Sequence, residues 1–256
     1  MQDLKVVIVQ PDVIWERPDK NLAHLEQLVQ NQSADLIVLP EMFSTGFSMK
    51  AKELAEPMDG QTVFWLKRIA KTRQSVVTGS VIITAGGQFY NRLLWVTPDG
   101  TIEHYDKRHL IGLMGETEQY SPGRERKILK LNGWRVCPQI CYDLRFPVWC
   151  RNQDDYDLLL FVANWPSPRH TAWTTLLHAR AIENQCYLIG VNRVGKDENG
   201  YQFNGGSRVV DPLGNAVSEL QAEEGIITAT LLSDELVSLR MKLPFLRDRD
   251  SFSIKI

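Results

Sequence analysis

Short apolar runs alternate along this chain with stretches in which apolar residues recur every three or four positions. The runs at 5–10, 35–40 and 76–83 predict strands. Helical spacing predicts a helix at 18–30, and a second helix follows Thr62, which we expect to cap it. Unbroken apolar runs are typical of strands that are covered on both faces. The first half therefore predicts an α/β fold with a buried sheet.

The middle of the chain is rich in hairpin signals. Apolar runs at 89–96 and 101–105 flank a Pro-Asp-Gly turn, and runs at 128–131 and 134–140 flank Asn132-Gly133. The second half again mixes strands with a helix. We expect strands at 158–162, 187–192, 207–210 and 226–231, and a helix at 171–185 with Trp173 on its apolar face.

Length, composition and charge narrow the protein class. The chain has 256 residues, 43% hydrophobic and 23% charged, and no linker interrupts it, so we predict a single domain over 1–256. The net charge of −2 argues against nucleic-acid partners, and no apolar run approaches the roughly 20 residues that span a bilayer. Lacking a signal-peptide pattern, the protein is expected in the cytoplasm, with its four cysteines reduced.

Cys141 is a candidate nucleophile. It directly follows the predicted strand at 134–140 and precedes a segment that Pro147 can open as a helix or turn. At a strand-to-helix junction, backbone N–H groups and the helix dipole favour a thiolate. From its position alone, however, a buried structural cysteine is the commoner outcome.

Glu41 and Lys107 are further candidate catalytic residues, and their positions support Glu41 more strongly than Lys107. Glu41 directly follows the strand at 35–40, where burial would suit a general acid or base, although a solvated turn residue fits equally well. Lys107 follows a predicted strand, where a lone lysine is ordinarily a solvated surface charge.

Other patterns carry no chemistry. The segment from Gly190 to Lys196 begins like a phosphate-binding loop, but Asp197 stands where that motif needs Ser or Thr. No Cys or His pairs show the spacing of metal ligands, and the segment from Trp165 to Arg169 is interpreted as a rigid loop.

Three segments, taken together and in order, change this interpretation. They are Leu39-Pro40-Glu41-Met42-Phe43, Tyr105-Asp106-Lys107-Arg108-His109-Leu110 and Ile140-Cys141-Tyr142-Asp143-Leu144-Arg145-Phe146-Pro147. In this set the chain resembles the nitrilase superfamily of carbon–nitrogen hydrolases. The resemblance implies a four-layer α-β-β-α sandwich and a homodimer formed through helices, for which the helix at 171–185 is an interface candidate. It also implies a catalytic triad of Glu41, Lys107 and Cys141 without a metal or organic cofactor.

The superfamily carries a second glutamate ahead of a Pro-Gly pair, and Glu116 fits this place, with Glu118 as a neighbouring alternative. The implied mechanism is attack by the Cys141 thiol on an amide, giving a thioester. Glu41 acts as general base and acid, and the Tyr142 backbone N–H helps Lys107 to stabilise the oxyanion.

The extended segment after Cys141, together with Ala163-Asn164-Trp165-Pro166, is most similar to the ω-amidase branch. This similarity implies a small-molecule substrate such as 2-oxoglutaramate or 2-oxosuccinamate, with Asn164 and Trp165 at the substrate. Arg145 is a candidate for binding the substrate carboxylate, or for an ion pair with Asp143.

Two alternatives stay open. One is another amidase, a nitrilase or an N-carbamoyl hydrolase on the same scaffold. The other, from a different class, is a catalytically silent interaction protein, against which the complete set of Glu41, Lys107 and Cys141 argues.

Overall fold

Two six-stranded sheets dominate the fold, in a computed structural model that describes residues 1–255. The strands are β1 (Leu4–Gln10), β2 (Leu36–Val38), β3 (Val76–Ala85), β4 (Gln88–Val96), β5 (Ile102–Asp106), β6 (Leu129–Leu131), β7 (Trp134–Ile140), β8 (Leu158–Val162), β9 (Tyr187–Val191), β10 (Val194–Lys196), β11 (Gln202–Asn204), β12 (Arg208–Val210), β13 (Ala216–Glu219) and β14 (Gly225–Leu231). The helices are α1 (Pro18–Val29), α2 (Ala51–Leu54), α3 (Gln61–Arg73), α4 (Glu116–Gln119), α5 (Pro147–Cys150), α6 (His170–Asn184) and α7 (Ser233–Lys242).

The two sheets have the same arrangement of parallel and antiparallel strands. The first has the order β14-β1-β2-β3-β4-β5 and the second the order β13-β12-β9-β8-β7-β6. Each has three parallel central strands, β1 to β3 in one and β7 to β9 in the other, with antiparallel strands at the edges. Parallel neighbours need crossover connections, which α1, α3 and α6 supply among others. The carboxyl ends of these strands are where α/β sheets hold their sites.

The alternation of side chains along β1 defines the layers. Val6 and Ile8 pack into a core that also contains side chains of the second sheet. Val7 and Val9 point the other way, into a core that contains the apolar faces of α1 and α3. On the far side of the second sheet, Trp173 of α6 packs against β9. The order of layers is therefore helices, sheet, sheet, helix, and the predicted four-layer sandwich is confirmed.

Most of the predicted elements are present, and the Asn132-Gly133 hairpin forms as expected. Both residues have positive φ angles, 50° and 86°, which suit the tight turn between β6 and β7. The prediction that Thr62 caps the second helix is wrong, because α3 begins at Gln61. The Glu56 carboxylate accepts a hydrogen bond from the Thr62 backbone N–H at 2.7 Å and supplies the missing cap.

Helices α2, α4 and α7 and three strands escaped the sequence pattern. Helices α2 and α4 are single turns of four residues. The strands β10, β11 and β13 are only three or four residues long and include polar side chains. Helix α7 buries only Ser233 and Leu236, so its apolar residues do not form the stripe that marks a covered helix. The segment from Gly190 to Lys196 consists of the end of β9, two residues of irregular backbone and the strand β10, without the helix that a phosphate-binding loop needs.

Candidate active site

Glu41, Lys107 and Cys141 lie together at the ends of strands from both sheets. Glu41 comes three residues after β2, Lys107 directly follows β5, and Cys141 directly follows β7. The side chains of Glu41 and Lys107 have no exposed surface, and Cys141 is 3% exposed. The structure therefore places three chemically reactive groups in one buried cluster, although they are far apart in the sequence.

Lys107 is the centre of this cluster. Its Nζ donates to Glu41 Oε1 at 2.9 Å and to Glu116 Oε1 at 2.8 Å, and it lies 5.0 Å from the centre of the Phe47 ring. Burial lowers the pKa of the ammonium, but the charges of Glu116 and Glu41 outweigh this effect, so the pKa is raised above its ordinary value. Lys107 therefore stays positively charged in spite of its burial.

The Glu41 carboxylate is fixed from three directions. Besides Lys107, the side-chain amide of Asn91 donates to Oε1 at 2.7 Å, and the backbone N–H of Asn164 donates to Oε2 at 2.7 Å. The Asn164 side-chain amide also donates to the Glu41 backbone carbonyl at 2.5 Å. Donors on both oxygens orient this carboxylate within the cluster.

Of the two candidate glutamates near the Pro-Gly pair, Glu116 reaches the cluster. It is the first residue of α4 and is fully buried, whereas Glu118 is exposed. Its Oε2 also accepts a hydrogen bond from the Ile111 backbone N–H at 2.7 Å. Burial raises the pKa of Glu116, and the charge of Lys107 opposes this shift. Glu116 therefore links the loop before α4 to the Lys107 ammonium.

Cys141 directly follows β7 and is the first residue of the short 3₁₀ helix Cys141–Arg145, where the backbone is strained. Its φ angle is 45°, in the left-handed region that residues other than glycine rarely adopt. Tyr142 lies in the first turn of that helix, where backbone N–H groups have no helical acceptor. Such strain is common at functional sites, where surrounding contacts hold the residue in place.

Burial is the main influence on the pKa of the Cys141 thiol. Burial, together with the charge of Glu41, raises the pKa of the Cys141 thiol well above its ordinary value. Lys107 lowers this pKa, but its effect is smaller than that of burial. The resting nucleophile is therefore a thiol that needs a base, and Glu41 is the carboxylate whose charge acts on it most strongly.

Asp143 braces the turn of the nucleophile rather than pairing with Arg145. Its Oδ2 accepts hydrogen bonds from the Ile140 backbone N–H at 3.0 Å and the Tyr105 hydroxyl at 2.8 Å. Its Oδ1 lies 2.8 Å from Nδ1 of His109. The buried Asp143 thus ties the strand that precedes Lys107 to the turn that carries Cys141, and the Asp143–Arg145 ion pair is not formed.

A pocket of about 300 Å³ opens onto Cys141. Its lining consists of Ile111, Leu113, Met114, Cys141, Tyr142, Arg145, Asn164, Trp165, Pro166 and Arg169. The Arg145 guanidinium lies over the Trp165 ring, 4.9 Å from its centre, and the Trp165 indole donates to the Arg169 carbonyl at 2.7 Å. Within residues 1–255, neither Arg145 nor Arg169 forms an ion pair with a carboxylate. The pocket is therefore apolar with two free cationic groups.

Sequence reasoning gave no role to Asn91 or Arg169. Asn91 comes from the interior of β4, and no spacing rule connects it to Glu41. Arg169 ends the segment interpreted as a rigid loop, and only the fold shows that this segment lines the pocket. In the part of the chain that the structure describes, no three His, Cys, Asp or Glu side chains are grouped to hold a metal ion.

Comparisons with known proteins agree with this site. The carbon–nitrogen hydrolase family model matches residues 5–241. The chain is 46% identical to omega-amidase YafV of Yersinia enterocolitica, over 98% of this chain and 99% of that one. It is 35% identical to the 2-oxoglutaramate amidase of Bacillus subtilis, over 94% and 95% of the two chains. The crystal structure of XC1258 from Xanthomonas campestris, a CN-hydrolase superfamily protein with an arsenic adduct in its active site, superimposes with a TM-score of 0.98 at 44% identity over the full length of both chains.

The chain therefore belongs to the carbon–nitrogen hydrolase family, within the nitrilase superfamily. The resemblance seen in the three sequence segments is confirmed. Its enzymatic class is accordingly that of an amidase. None of the helices between residues 1 and 255 has the length and apolar character required to cross a membrane.

Proposed function

We propose that this protein is an ω-amidase that releases ammonia from the terminal amide of 2-oxoglutaramate, 2-oxosuccinamate or a similar dicarboxylic monoamide. The observation that carries the proposal is that Cys141, in a cluster with Glu41 and Lys107, lines a pocket with two guanidinium groups that form no ion pair within residues 1–255. Relatives similar over nearly the whole chain carry the names omega-amidase and 2-oxoglutaramate amidase, which supports the same substrate class.

The first half of the proposed reaction forms a thioester. Cys141 Sγ attacks the amide carbonyl while Glu41 takes the thiol proton, which the raised pKa of Cys141 makes necessary. The C–N bond of the tetrahedral intermediate then breaks, and Glu41 gives its proton to the departing nitrogen, so that ammonia leaves. One carboxylate thus serves as base and then as acid, without any net change in its protonation.

The oxyanion needs donors that are already in place. Lys107 has three N–H bonds. One points to Glu41 Oε1, and a second can be shared between the two oxygens of Glu116, so the third can be directed to the substrate oxygen. The Tyr142 backbone N–H is the second proposed donor. Removing one such donor from an enzyme typically costs about 2.7–4 kcal/mol of transition-state stabilisation.

The second half of the reaction restores the enzyme. A water molecule gives a proton to Glu41 and attacks the thioester carbonyl, and the C–S bond breaks. The proton held by Glu41 returns to Cys141, and the product is the dicarboxylic acid. Asn91 and Asn164 keep Glu41 oriented through both halves, because each donates a hydrogen bond to one of its oxygens.

At the other end of the substrate, the free carboxylate is proposed to bind Arg145, with Arg169 as a second cationic group. Guanidinium groups bind carboxylates through two parallel hydrogen bonds, and stacking on Trp165 limits the positions that Arg145 samples. Asn164 and Trp165 lie between this end and Cys141 in the proposed arrangement, and both line the pocket.

The assembly and location belong to the same proposal. We propose a single domain that forms a homodimer through α6, on which Ile182 is 52% exposed and lies against Gly214, the neighbour of the exposed Leu213. In the proposed dimer these side chains would be part of a contiguous apolar patch, which is the feature that marks an interface. The cytoplasm is the proposed compartment, since all four cysteines are free buried thiols.

A substrate panel tests the proposed function. Ammonia release is measured with 2-oxoglutaramate, with a neutral primary amide of the same chain length, with a nitrile and with an N-carbamoyl amino acid. The proposal expects the highest kcat/KM for 2-oxoglutaramate. Preference for another compound would move the protein to another amidase, nitrilase or N-carbamoyl hydrolase. Failure with every compound, together with an inert Cys141, would favour the silent interaction protein.

A further inference from the structure

The side-chain oxygen of Asn164 is a buried acceptor without a partner. The side-chain NH₂ of Asn164 donates to the Glu41 carbonyl, and a carbonyl accepts but cannot donate. This contact therefore determines which arm of the amide is the nitrogen, and Oδ1 is the other arm. Among residues 1–255, nothing donates a hydrogen bond to this Oδ1.

A buried acceptor of this kind carries a cost that a ligand can remove. Leaving a buried polar group without a hydrogen-bond partner destabilises the folded protein. Asn164 lines the same pocket as Cys141, so a molecule held at the thiol lies beside it. Glu41, which has to deliver a proton to the leaving nitrogen, is held to Asn164 by two hydrogen bonds. The nitrogen of the substrate is therefore expected beside both residues.

We infer that Asn164 Oδ1 accepts a hydrogen bond from the NH₂ group of the scissile amide. The inference rests on the proposed function and adds how the site recognises a primary amide. An ester or a nitrile has no N–H to offer at this place, so neither would satisfy the acceptor. Asn164 thereby has two roles. Its backbone and side-chain N–H groups hold Glu41, the base, and its side-chain oxygen binds the leaving nitrogen.

Asn91 provides a matched comparison within the same cluster. Its NH₂ group donates to Glu41 Oε1 at 2.7 Å, and its own Oδ1 is likewise buried without a partner among the described residues. Unlike Asn164, however, Asn91 is not among the residues that line the pocket. Replacing Asn91 therefore loosens Glu41 without removing a contact to the substrate.

The experiment compares Asn164→Ala and Asn91→Ala on two substrates, 2-oxoglutaramate and the methyl ester of the same terminal carboxyl group. Each variant removes a hydrogen bond that positions Glu41, so both lower turnover of the amide and of the ester. Only Asn164→Ala also removes the acceptor for N–H. We expect its amide-to-ester ratio of kcat/KM to fall about tenfold below the ratio of Asn91→Ala, the size of one hydrogen bond.

Equal amide-to-ester ratios of kcat/KM in the two variants would show that Asn164 Oδ1 does not bind the NH₂ group of the substrate. If Asn164→Ala does not fold, Asn164→Leu provides the same comparison, since it has no side-chain acceptor and its backbone N–H still donates to Glu41. Wild-type protein is measured in parallel. Absence of ammonia release by the wild type would overturn the proposed function itself, whereas an active wild type with equal variant ratios would overturn only the role of Asn164.

Discussion

The Lys107 ammonium contacts both carboxylate oxygens of Glu116, at 2.8 Å and 3.0 Å, inside a fully buried cluster. Lys107 also binds Glu41, so one positive charge lies between two carboxylates. Lone buried charges are costly, and a group that loses its partner destabilises its surroundings. Glu116 therefore holds the Lys107 ammonium in place, and Glu41 remains available as the base.

Replacing Glu116 with glutamine tests this arrangement. The variant removes one of two negative charges, so Lys107 pairs more strongly with Glu41 and the base becomes less available. We expect kcat to fall about 10- to 100-fold, within the usual range for a group that supports acid–base chemistry. Glu118→Gln is the matched control, because Glu118 is exposed and only two residues away. Equal activity of the two variants would contradict the role of Glu116.

The charge of Glu41 has opposite effects on turnover and on the thiol. Glu41→Gln should lower amide turnover about 10²- to 10⁴-fold, because the proton carrier is lost. Because Glu41 raises the pKa of Cys141, the same variant lowers that pKa and increases the thiolate fraction at a given pH. Alkylation of Cys141 by iodoacetamide, followed by mass spectrometry, should therefore persist or become faster.

In the wild type, the rate of this alkylation should still rise with pH through 9.0, the ordinary thiol pKa, because the folded-state pKa lies higher. A rate that levels off near neutral pH would show a preformed thiolate and contradict this account. The other three cysteines, Cys137, Cys150 and Cys186, are fully buried and should remain unlabelled in the folded protein.

Arg145→Lys tests the binding of the substrate carboxylate. Lysine keeps the charge but loses the planar pair of donors and the stacking on Trp165. KM for 2-oxoglutaramate should rise about tenfold, equivalent to one lost charge-assisted hydrogen bond. KM for a neutral amide of the same length should change much less. A similar change for both substrates would place the carboxylate elsewhere.

Tyr105→Phe tests the brace behind the nucleophile. The Tyr105 hydroxyl donates to Asp143 and accepts from the Trp149 indole at 3.0 Å, so its removal leaves two buried groups short of a partner. The free energy of unfolding should fall by about 1–3 kcal/mol in urea denaturation. Tyr201→Phe, at a partly exposed tyrosine, is the control. Equal stability of both variants would show that the hydroxyl contributes nothing.

Patterns along the chain predicted the strands and helices whose apolar residues face a core. Helix α1 buries Leu22, Leu25 and Val29 at helical spacing, and the strands β7 and β8 are apolar runs that are buried almost without interruption. In contrast, α7 was missed because it buries only two residues, and its position depends on distant contacts such as that of Arg240 with Asp157.

Within the site, Glu41, Lys107 and Cys141 were predicted because each stands at a strand end in a recognisable segment. The contacts of Asn91 and Arg169 form only when the fold brings distant segments together, so no local sequence pattern predicts them. The pKa of Cys141 likewise depends on the whole fold. The helix end favours a thiolate locally, but burial by the whole fold has the larger effect.

The most direct test of the central claim is ammonia release from 2-oxoglutaramate by the wild type and by Cys141→Ala, with thermal unfolding measured for both. The account predicts release by the wild type, no detectable turnover by the variant, and an intact fold in each. Turnover by Cys141→Ala at the wild-type rate would contradict the assignment of the nucleophile. A folded wild type that releases no ammonia would contradict the ω-amidase proposal.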